Sequence, residues 1–136
     1  MSTRILAALL FSSLLFSCGD EGTISYNEKM PPTVPGNLEA IAGSQQISLS
    51  WDKVSNTSSY RIYWSTEEIT ENLKQITGAE DDPNTSITVQ TIKDIVTNSY
   101  VHTGLTPGTT YYYRVAAFNK AGSKGLSKEA SSNPSL

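Results

Sequence analysis

Catalysis by this sequence would have to begin at its single histidine, His102. A histidine that acts as a general base needs a nucleophile, usually a serine or a cysteine, within hydrogen-bonding reach. The sequence shows no recognisable arrangement of that kind. It also has no glycine-rich phosphate loop, no histidines and cysteines at metal-ligating spacing and no nucleophile elbow. We therefore predict no catalytic residues, no cofactor and a structural role for His102.

The acidic side chains are concentrated in residues 66–90, which hold six of the thirteen: Glu67, Glu68, Glu71, Glu80, Asp81 and Asp82. Calcium prefers clustered oxygen ligands, but the regularly spaced Asp, Asn and Gly residues of an EF-hand loop are absent. The sequence therefore predicts a solvated loop and no metal site. The net charge of −3 argues against nucleic acid as a partner, because that function requires a basic patch.

Cys18 is the only cysteine, so no disulfide can form within the chain. It follows an apolar run over residues 5–16, whose 12 residues are too few to span a bilayer. Leu15 and Ser17 resemble the −3 and −1 positions of a bacterial lipobox, although Phe16 stands where a small residue is usual. The resemblance implies cleavage before Cys18, a diacylglycerol thioether on its sulfur and N-acylation. An ordinary secretory signal with a stray cysteine is the alternative.

These features divide the chain into a signal peptide over residues 1–17, a linker over residues 18–34 and a domain over residues 35–134. The linker is polar and ends in a proline-rich stretch, and flexible-chain scaling gives it a reach of roughly 20–25 Å. A lipid on Cys18 would hold the domain close to a membrane of the bacterial envelope. Gly19, rather than aspartate, follows Cys18. Under one bacterial sorting rule this implies the outer membrane, on its periplasmic or surface side.

Alternating hydrophobic and polar residues predict strands over residues 37–42, 46–52 and 60–65. A period of two places every second side chain on the same face of a sheet. The residues predicted to face the core on the second and third strands are Ile47, Leu49, Trp51, Tyr60, Ile62 and Trp64.

Residues 105–119, LTPGTTYYYRVAAFN, predict a tight corner followed by a long strand. Pro107 fixes φ and Gly108 permits a turn, and the aromatic and β-branched residues that follow favour a strand. The spacing from Leu105 to Tyr111 is that of a tyrosine corner, in which a buried tyrosine hydrogen-bonds to the backbone just upstream. With Val115, Ala117, Asn119 and Gly122 added, the stretch resembles strand F of a fibronectin type III domain and its flanks.

The resemblance implies an all-β fold, a seven-stranded antiparallel β-sandwich of the immunoglobulin-like kind. It places Tyr100 and His102 on the inner face of strand E, over residues 98–103, and puts the last strand within residues 124–132. The core is predicted to include Trp51, Tyr60, Leu105, Tyr111 and Val115.

Residues 66–90 form a longer connection after strand C, the predicted strand over residues 60–65, than the family usually has. Ile69, Leu73 and Ile76 are at helical spacing, which predicts a short helix capped by Thr66. Residues 86–92 are expected to return as strand C′.

A surface patch follows from the phase of strands C and F. If Trp64 and Tyr111 point inward, then the alternate side chains point outward, and strands about 4.8 Å apart place them together. These are types enriched at interface centres, although such pairs also stabilise exposed sheets without binding anything. The predicted binding residues are Arg61, Tyr63, Tyr112, Arg114 and Phe118.

We therefore expect a monomeric, lipid-anchored protein without enzymatic activity that binds a partner, or is displayed, at the cell envelope. The expected partner is an unknown envelope protein or a glycan. The alternative is a carbohydrate-binding module that acts through an exposed aromatic face. A hydrolase is disfavoured because the sequence shows no paired carboxylates and no catalytic triad.

Overall fold

The computed structural model describes residues 30–69 and 89–136, which form two packed β-sheets. The strands described are β1 (Glu39–Gly43), β2 (Gln46–Ser50), β3 (Ser59–Ser65), β4 (Gln90–Ile95), β5 (Ser99–Thr103), β6 (Tyr111–Phe118) and β7 (Ala130–Ser132). The smaller sheet has the order β1-β2-β5 and the larger has the order β4-β3-β6-β7. Every neighbouring pair is antiparallel. The predicted seven-stranded antiparallel sandwich is confirmed.

The hydrophobic core lies between the two sheets and follows the two-residue alternation of the strands. On β2, Ile47 and Leu49 are buried while the serines beside them are only half-buried. Trp51, which follows β2, packs edge-on against Tyr60 with ring centroids 5.3 Å apart. Trp64, which was also predicted to face the core, is half-buried and packs against it. Among the residues predicted for the core, these five are buried: Trp51, Tyr60, Leu105, Tyr111 and Val115.

The fourth strand is placed differently from the prediction. β4 covers Gln90–Ile95, so it ends three residues beyond the predicted end at residue 92. Residues 86–88 of the predicted strand lie outside the described residues. The pairing of β4 with β3 shifts between Tyr60 and Ile62. Asp94 lies in this irregular stretch and adopts a φ of 61°, a conformation that short polar side chains tolerate better than most. Residues 66–69, which include the predicted cap Thr66 and the first apolar residue Ile69, are not helical. The rest of that predicted helix, including Leu73 and Ile76, lies outside the described residues.

The packed domain begins before its predicted boundary at Pro35. Pro32 is buried, and the backbone carbonyl of Met30 accepts hydrogen bonds from the side-chain amides of Asn56 at 2.9 Å and Asn119 at 2.7 Å. Residues 30–34, which the sequence assigned to the linker, are therefore part of the packed structure. Proline fixes only the local φ angle, so the composition of this stretch did not indicate what it packs against.

The described chain begins at one end of the sandwich and finishes at the other. The N-terminal pole consists of Met30 and the loops over residues 51–58, 96–98 and 119–125. The C-terminal pole consists of residues 44–45, 104–110 and 133–136. At this second pole, the N–H of Gln45 donates to the carbonyl of Ser135 at 2.8 Å, and the N–H of Gly108 donates to that of Pro134 at 3.1 Å. The two ends of the described chain are therefore separated by the length of the strands.

Candidate functional site

The side chains predicted to form a patch lie on the outer face of the larger sheet. In the register of β3 and β6, Tyr63 stands opposite Arg114, Ser65 opposite Tyr112 and Ser59 opposite Phe118. Tyr63, Tyr112 and Phe118 belong to a second apolar cluster, separate from the core between the sheets. These side chains therefore lie on the outer face of the larger sheet, as the alternation along strands C and F predicted.

The prediction that this face is open to solvent is wrong for Tyr63 and Arg114. Tyr63 is only 2% exposed and Arg114 only 7% exposed. The chain leaves β3 at Ser65 and folds back, so that Ile69, itself 2% exposed, packs in the same cluster as Tyr63 and Ala116. Alternation along β3 fixes which side chains leave the core, but it does not reveal that a later residue covers them.

Ile69 is held on this face by hydrogen bonds at both of its backbone groups. Its N–H donates to Oε2 of Glu129 at 2.7 Å, and its carbonyl accepts from Nε of Arg114 at 2.8 Å. Arg114 also donates through Nη1 to the carbonyl of Ser127 at 2.9 Å, and it has interactions besides these two. Hydrogen bonds from a charged donor are stronger than neutral ones, which offsets part of the desolvation of the buried guanidinium.

Ser127 takes the place of a paired strand residue beside β6. Its N–H donates to the carbonyl of Val115 at 2.8 Å, and its Oγ accepts from the N–H of Val115 at 2.9 Å. The same Oγ donates to the carbonyl of Lys128 at 2.9 Å. Regular pairing between β6 and β7 is limited to the stretch from Ala130 to Ser132. The side chain of Ser127 thus accepts the hydrogen bond from the Val115 N–H that the backbone of a longer β7 would otherwise accept.

The accessible part of the patch is formed by Arg61, Tyr112 and Phe118, which are half-buried. Cζ of Arg61 lies 4.0 Å from the centroid of the Phe118 ring, a cation–π contact. The hydroxyl of Tyr63 is buried and has no hydrogen-bond partner among the described residues. Burial raises the pKa of Tyr63, and the positive charge of the nearby Arg61 guanidinium partly opposes that rise. Arg61 does not form a hydrogen bond of good geometry with the hydroxyl.

His102 lies on the inner side of the smaller sheet, as predicted, in an aromatic cluster that joins the two sheets. Its ring centroid is 4.7 Å from that of Trp64 and 6.3 Å from that of Tyr111. Its Nδ1 lies 2.9 Å from the hydroxyl of Tyr113, within hydrogen-bonding distance. Desolvation by burial lowers the pKa of His102, so the neutral imidazole is favoured. His102 is therefore half-buried and within hydrogen-bonding distance of one side chain, which is the environment of a structural histidine.

The corner before β6 closes as the sequence predicted. The hydroxyl of Tyr111 accepts a hydrogen bond from the backbone N–H of Thr106 at 3.0 Å. Gly108 has a φ of 86°, which a residue with a side chain would adopt only with strain. This tyrosine corner, in a sandwich of three and four strands, is the local geometry that the sequence resemblance implied.

Residues 31–133 match the family model of the Fibronectin type III domain. The chain belongs to the fibronectin type III family. The matched range begins at Pro31 and so includes residues 31–34, which the sequence had assigned to the linker.

Two larger proteins match this fibronectin type III domain over a small part of their own length. A Kelch domain-containing protein of Saccharolobus solfataricus is 32% identical over 100 residues, which cover 73% of this chain. The match spans only 11% of the length of that relative. A β-1,2-glucanase from Parabacteroides distasonis contains a similar domain at 22% identity and a TM-score of 0.57, over 77% of this chain and 13% of the glucanase.

Two solved structures are similar to the fibronectin type III domain over nearly their whole length. An Fn3-like protein from Clostridium thermocellum is 24% identical with a TM-score of 0.56, and the match covers 79% of this chain and 97% of that one. The third fibronectin III domain of a human protein is 21% identical with a TM-score of 0.58, over 90% and 94% of the two chains. At these identities the solved structures establish a shared fold.

The covered sheet face is the part of this fibronectin type III domain that sequence reasoning missed. Its supporting residues are Ile69, Ser127 and Glu129, and none of them was a predicted site residue. One signal was available: Ile69 is an isolated apolar residue that follows the acidic pair Glu67 and Glu68. An apolar residue in a polar loop is often buried, but the sequence did not show against which surface.

Several predicted features of this fibronectin type III protein lie outside the described residues. They are Cys18, the signal peptide, linker residues 18–29 and four of the acids, Glu71, Glu80, Asp81 and Asp82. In the described ranges, no three His, Cys, Asp or Glu side chains come together as metal ligands. Residues 30–69 and 89–136 also contain no helix with the length and apolarity needed to cross a bilayer.

Proposed function

We propose that this protein is a lipid-anchored fibronectin type III module that binds an envelope protein, or is displayed, at the surface of a bacterial membrane. The observation that carries the proposal is the position of Cys18. It is the only cysteine in the chain, and it directly follows a short apolar segment that precedes the folded domain. The proposed site of attachment is the outer membrane, on its periplasmic or surface side.

The lipid supplies the membrane affinity in this proposal. Each buried methylene contributes about 0.8 kcal/mol, and one acyl chain alone gives only marginal, reversible binding. A diacylglycerol thioether together with an N-acyl chain on Cys18 would provide three chains. Such an anchor would hold the domain at the membrane without a transmembrane helix.

A non-enzymatic role agrees with the family, because fibronectin type III domains are typically non-catalytic modules. The one histidine of the chain faces aromatic rings, and its Nδ1 is placed to hydrogen-bond to Tyr113. We propose that partner contact uses the accessible part of the predicted patch, Arg61, Tyr112 and Phe118. In this arrangement Tyr63 and Arg114 support the surface from beneath rather than touching a partner.

A protein partner is preferred to a carbohydrate partner on the geometry of this patch. A carbohydrate platform needs aromatic faces that lie open to solvent. Tyr63, one of the predicted binding residues, is buried, and the ring of Phe118 is stacked beneath Arg61. A guanidinium stacked on one half-buried aromatic ring, with a second half-buried aromatic on the same sheet face, is instead a combination of residue types enriched at protein interfaces.

The anchor is tested by the Cys18→Ala variant in cells fed a fatty-acid analogue that can be detected on proteins. The wild-type protein should carry the label and remain with the membrane fraction. The variant should carry no label, and it should be released or remain unprocessed. Equal labelling of the two proteins would contradict the proposed anchor.

The contact surface is tested with the double variant Arg61→Ala/Tyr112→Ala in a pull-down from envelope extract. Ile41→Ala/Val101→Ala is the matched control, because both of its residues are exposed on strands of the other sheet. Partners should be lost from the first variant and retained by the control, while both variants remain folded. Retention of every partner by the first variant would contradict the assignment. Binding to a glycan array that is lost in the same variant would favour the carbohydrate alternative.

A further inference from the structure

The described chain begins at a fixed point of the N-terminal pole. The Met30 carbonyl is held by the side-chain amides of Asn56 and Asn119, which come from two different loops. Asn119 also donates to the backbone carbonyl of Asn56 at 3.1 Å, so the two loops are tied to each other as well. Any tether that precedes Met30 therefore reaches the domain at this pole.

The chemistry of the N-terminal pole suits a lipid headgroup region. Met30 is 57% exposed and Val96 is 78% exposed, so apolar side chains project from it. Two adjoining grooves share Thr57 and Ser58, and one is lined by Lys53 while the other is lined by Lys120. Apolar side chains can enter the headgroup boundary, while lysines beside them attract anionic lipids.

Few carboxylates oppose these lysines. Among the residues described for the two grooves, neither groove has an acidic lining residue. The closest exposed acids in the sequence are Asp52 and Asp94, which flank the two loops of the second groove. Within residues 51–58, 96–98 and 119–125, the lysines Lys53, Lys120 and Lys124 outnumber the one acid, Asp52. This pole therefore carries positive charge on a protein whose net charge is −3.

The C-terminal pole lacks this positive charge. Its residues, 44–45, 104–110 and 133–136, include no lysine and no arginine. The chain leaves β3 at this pole, because Ser65 stands opposite Tyr112 near the start of β6, and the exposed acids Glu67 and Glu68 follow directly. An anionic surface would therefore attract the N-terminal pole in preference to the C-terminal one.

The length of the segment between Cys18 and Met30 also favours the N-terminal pole as the end that faces the membrane. Twelve peptide bonds join Cys18 to Met30, and a fully extended chain of that length spans at most roughly 40 Å. The eight residues of β6 separate the two poles by roughly 25 Å, at about 3.4 Å per residue. Turning the C-terminal pole towards the membrane would use most of the available length. With the N-terminal pole at the membrane, no such extension is needed.

We propose that the N-terminal pole rests on the lipid headgroups, with Met30 and Val96 at the boundary and Lys53 and Lys120 against anionic lipids. The C-terminal pole then points away from the membrane. This orientation rests on the proposed lipid anchor. In this orientation the domain itself contacts the membrane, in addition to the lipid on Cys18.

The test compares two labelling positions of similar exposure at opposite poles. Val96→Cys and Leu136→Cys, at 78% and 88% exposure, each introduce one thiol for a fluorophore, since lipid blocks Cys18. The full lipidated chain is incorporated into phosphatidylglycerol-containing vesicles that carry a headgroup quencher. Quenching should be several-fold stronger at position 96 than at position 136. Equal quenching, or stronger quenching at position 136, would overturn the proposed orientation.

Charge reversal tests the role of the lysines in the same vesicles. Lys53→Glu/Lys120→Glu should remove most of the difference between the two labelled positions. Lys93→Glu/Lys128→Glu makes the same change in net charge at exposed residues outside both grooves, and it should leave the difference intact. Equal effects of the two variants would overturn the assignment of Lys53 and Lys120. A wild-type protein that does not float with the vesicles would overturn the anchor and the orientation together, whereas floating with equal quenching overturns the orientation alone.

Discussion

Nε of Arg114 donates a hydrogen bond of 2.8 Å to the carbonyl oxygen of Ile69, 45 residues earlier in the chain. This bond ties the connection after β3 to the middle of β6. The backbone N–H of Ile69 also donates a hydrogen bond to the carboxylate of Glu129. The outer face of the larger sheet is therefore a covered surface with its own small core, and its contribution to stability can be measured.

Ile69→Ala should destabilise the domain by about 2–5 kcal/mol, the usual range for truncating a buried aliphatic side chain. Its side chain is 2% exposed and packs against Tyr63 and Ala116. Ile41→Ala is the control, because Ile41 is 61% exposed, and it should change stability by no more than about 0.5 kcal/mol. Denaturant midpoints of the two variants give the comparison. Similar midpoints would show that Ile69 does not seal the face.

Arg114→Met should lower the free energy of unfolding by about 1.5–3 kcal/mol, because the carbonyls of Ile69 and Ser127 lose a charged donor. Methionine retains most of the aliphatic volume, so the variant mainly removes hydrogen bonds. Arg61→Met is the matched control and should lose only about 0.5–1 kcal/mol from its contact with Phe118. Urea unfolding followed by tryptophan fluorescence measures both. A larger loss of unfolding free energy in Arg61→Met than in Arg114→Met would mean that the half-buried arginine, rather than the buried one, supports this face.

Tyr111→Phe should destabilise the domain by about 1–3 kcal/mol, because the N–H of Thr106 loses its acceptor. Tyr112→Phe, one residue further and on the opposite face of β6, should change stability by less than about 0.5 kcal/mol. Chemical denaturation of the two variants under the same conditions makes the comparison. The reverse order would contradict the register of β6.

Stability should depend on pH through His102. Burial lowers its pKa in the folded state, so the unfolded chain binds the proton more tightly. The stabilisation by neutral His102 is complete above the unfolded pKa of about 6.5, and it is lost as the pH falls through the lowered folded value. In His102→Asn, which retains a polar atom near Tyr113, the fall in unfolding free energy between pH 7.5 and pH 5 should be smaller. Identical pH profiles for wild type and variant would contradict this origin.

Much of the sandwich follows from local patterns. The alternation of Ile47, Leu49 and Trp51 predicted the inner face of β2, because side chains alternate across any strand whatever it packs against. The corner before β6 was predictable for a similar reason. Pro107 and Gly108 set the backbone angles of a turn directly, and Tyr111 lies only five residues beyond Thr106. Features that depend on a few neighbouring residues were determined by the sequence itself.

The exposure of the patch was decided only by the tertiary structure. Whether Tyr63 and Arg114 meet water depends on where the chain goes after β3, and the contacts that fix Ile69 reach 45 and 60 residues along the chain. The packing of Met30 was also decided by the tertiary structure, because its carbonyl accepts a hydrogen bond from Asn119, 89 residues later in the chain. Alternation determines the direction of a side chain from its own strand, but burial depends on everything that packs above it. Long-range contacts of this kind leave no periodic signal in the sequence, because their partners come together only when the whole chain folds.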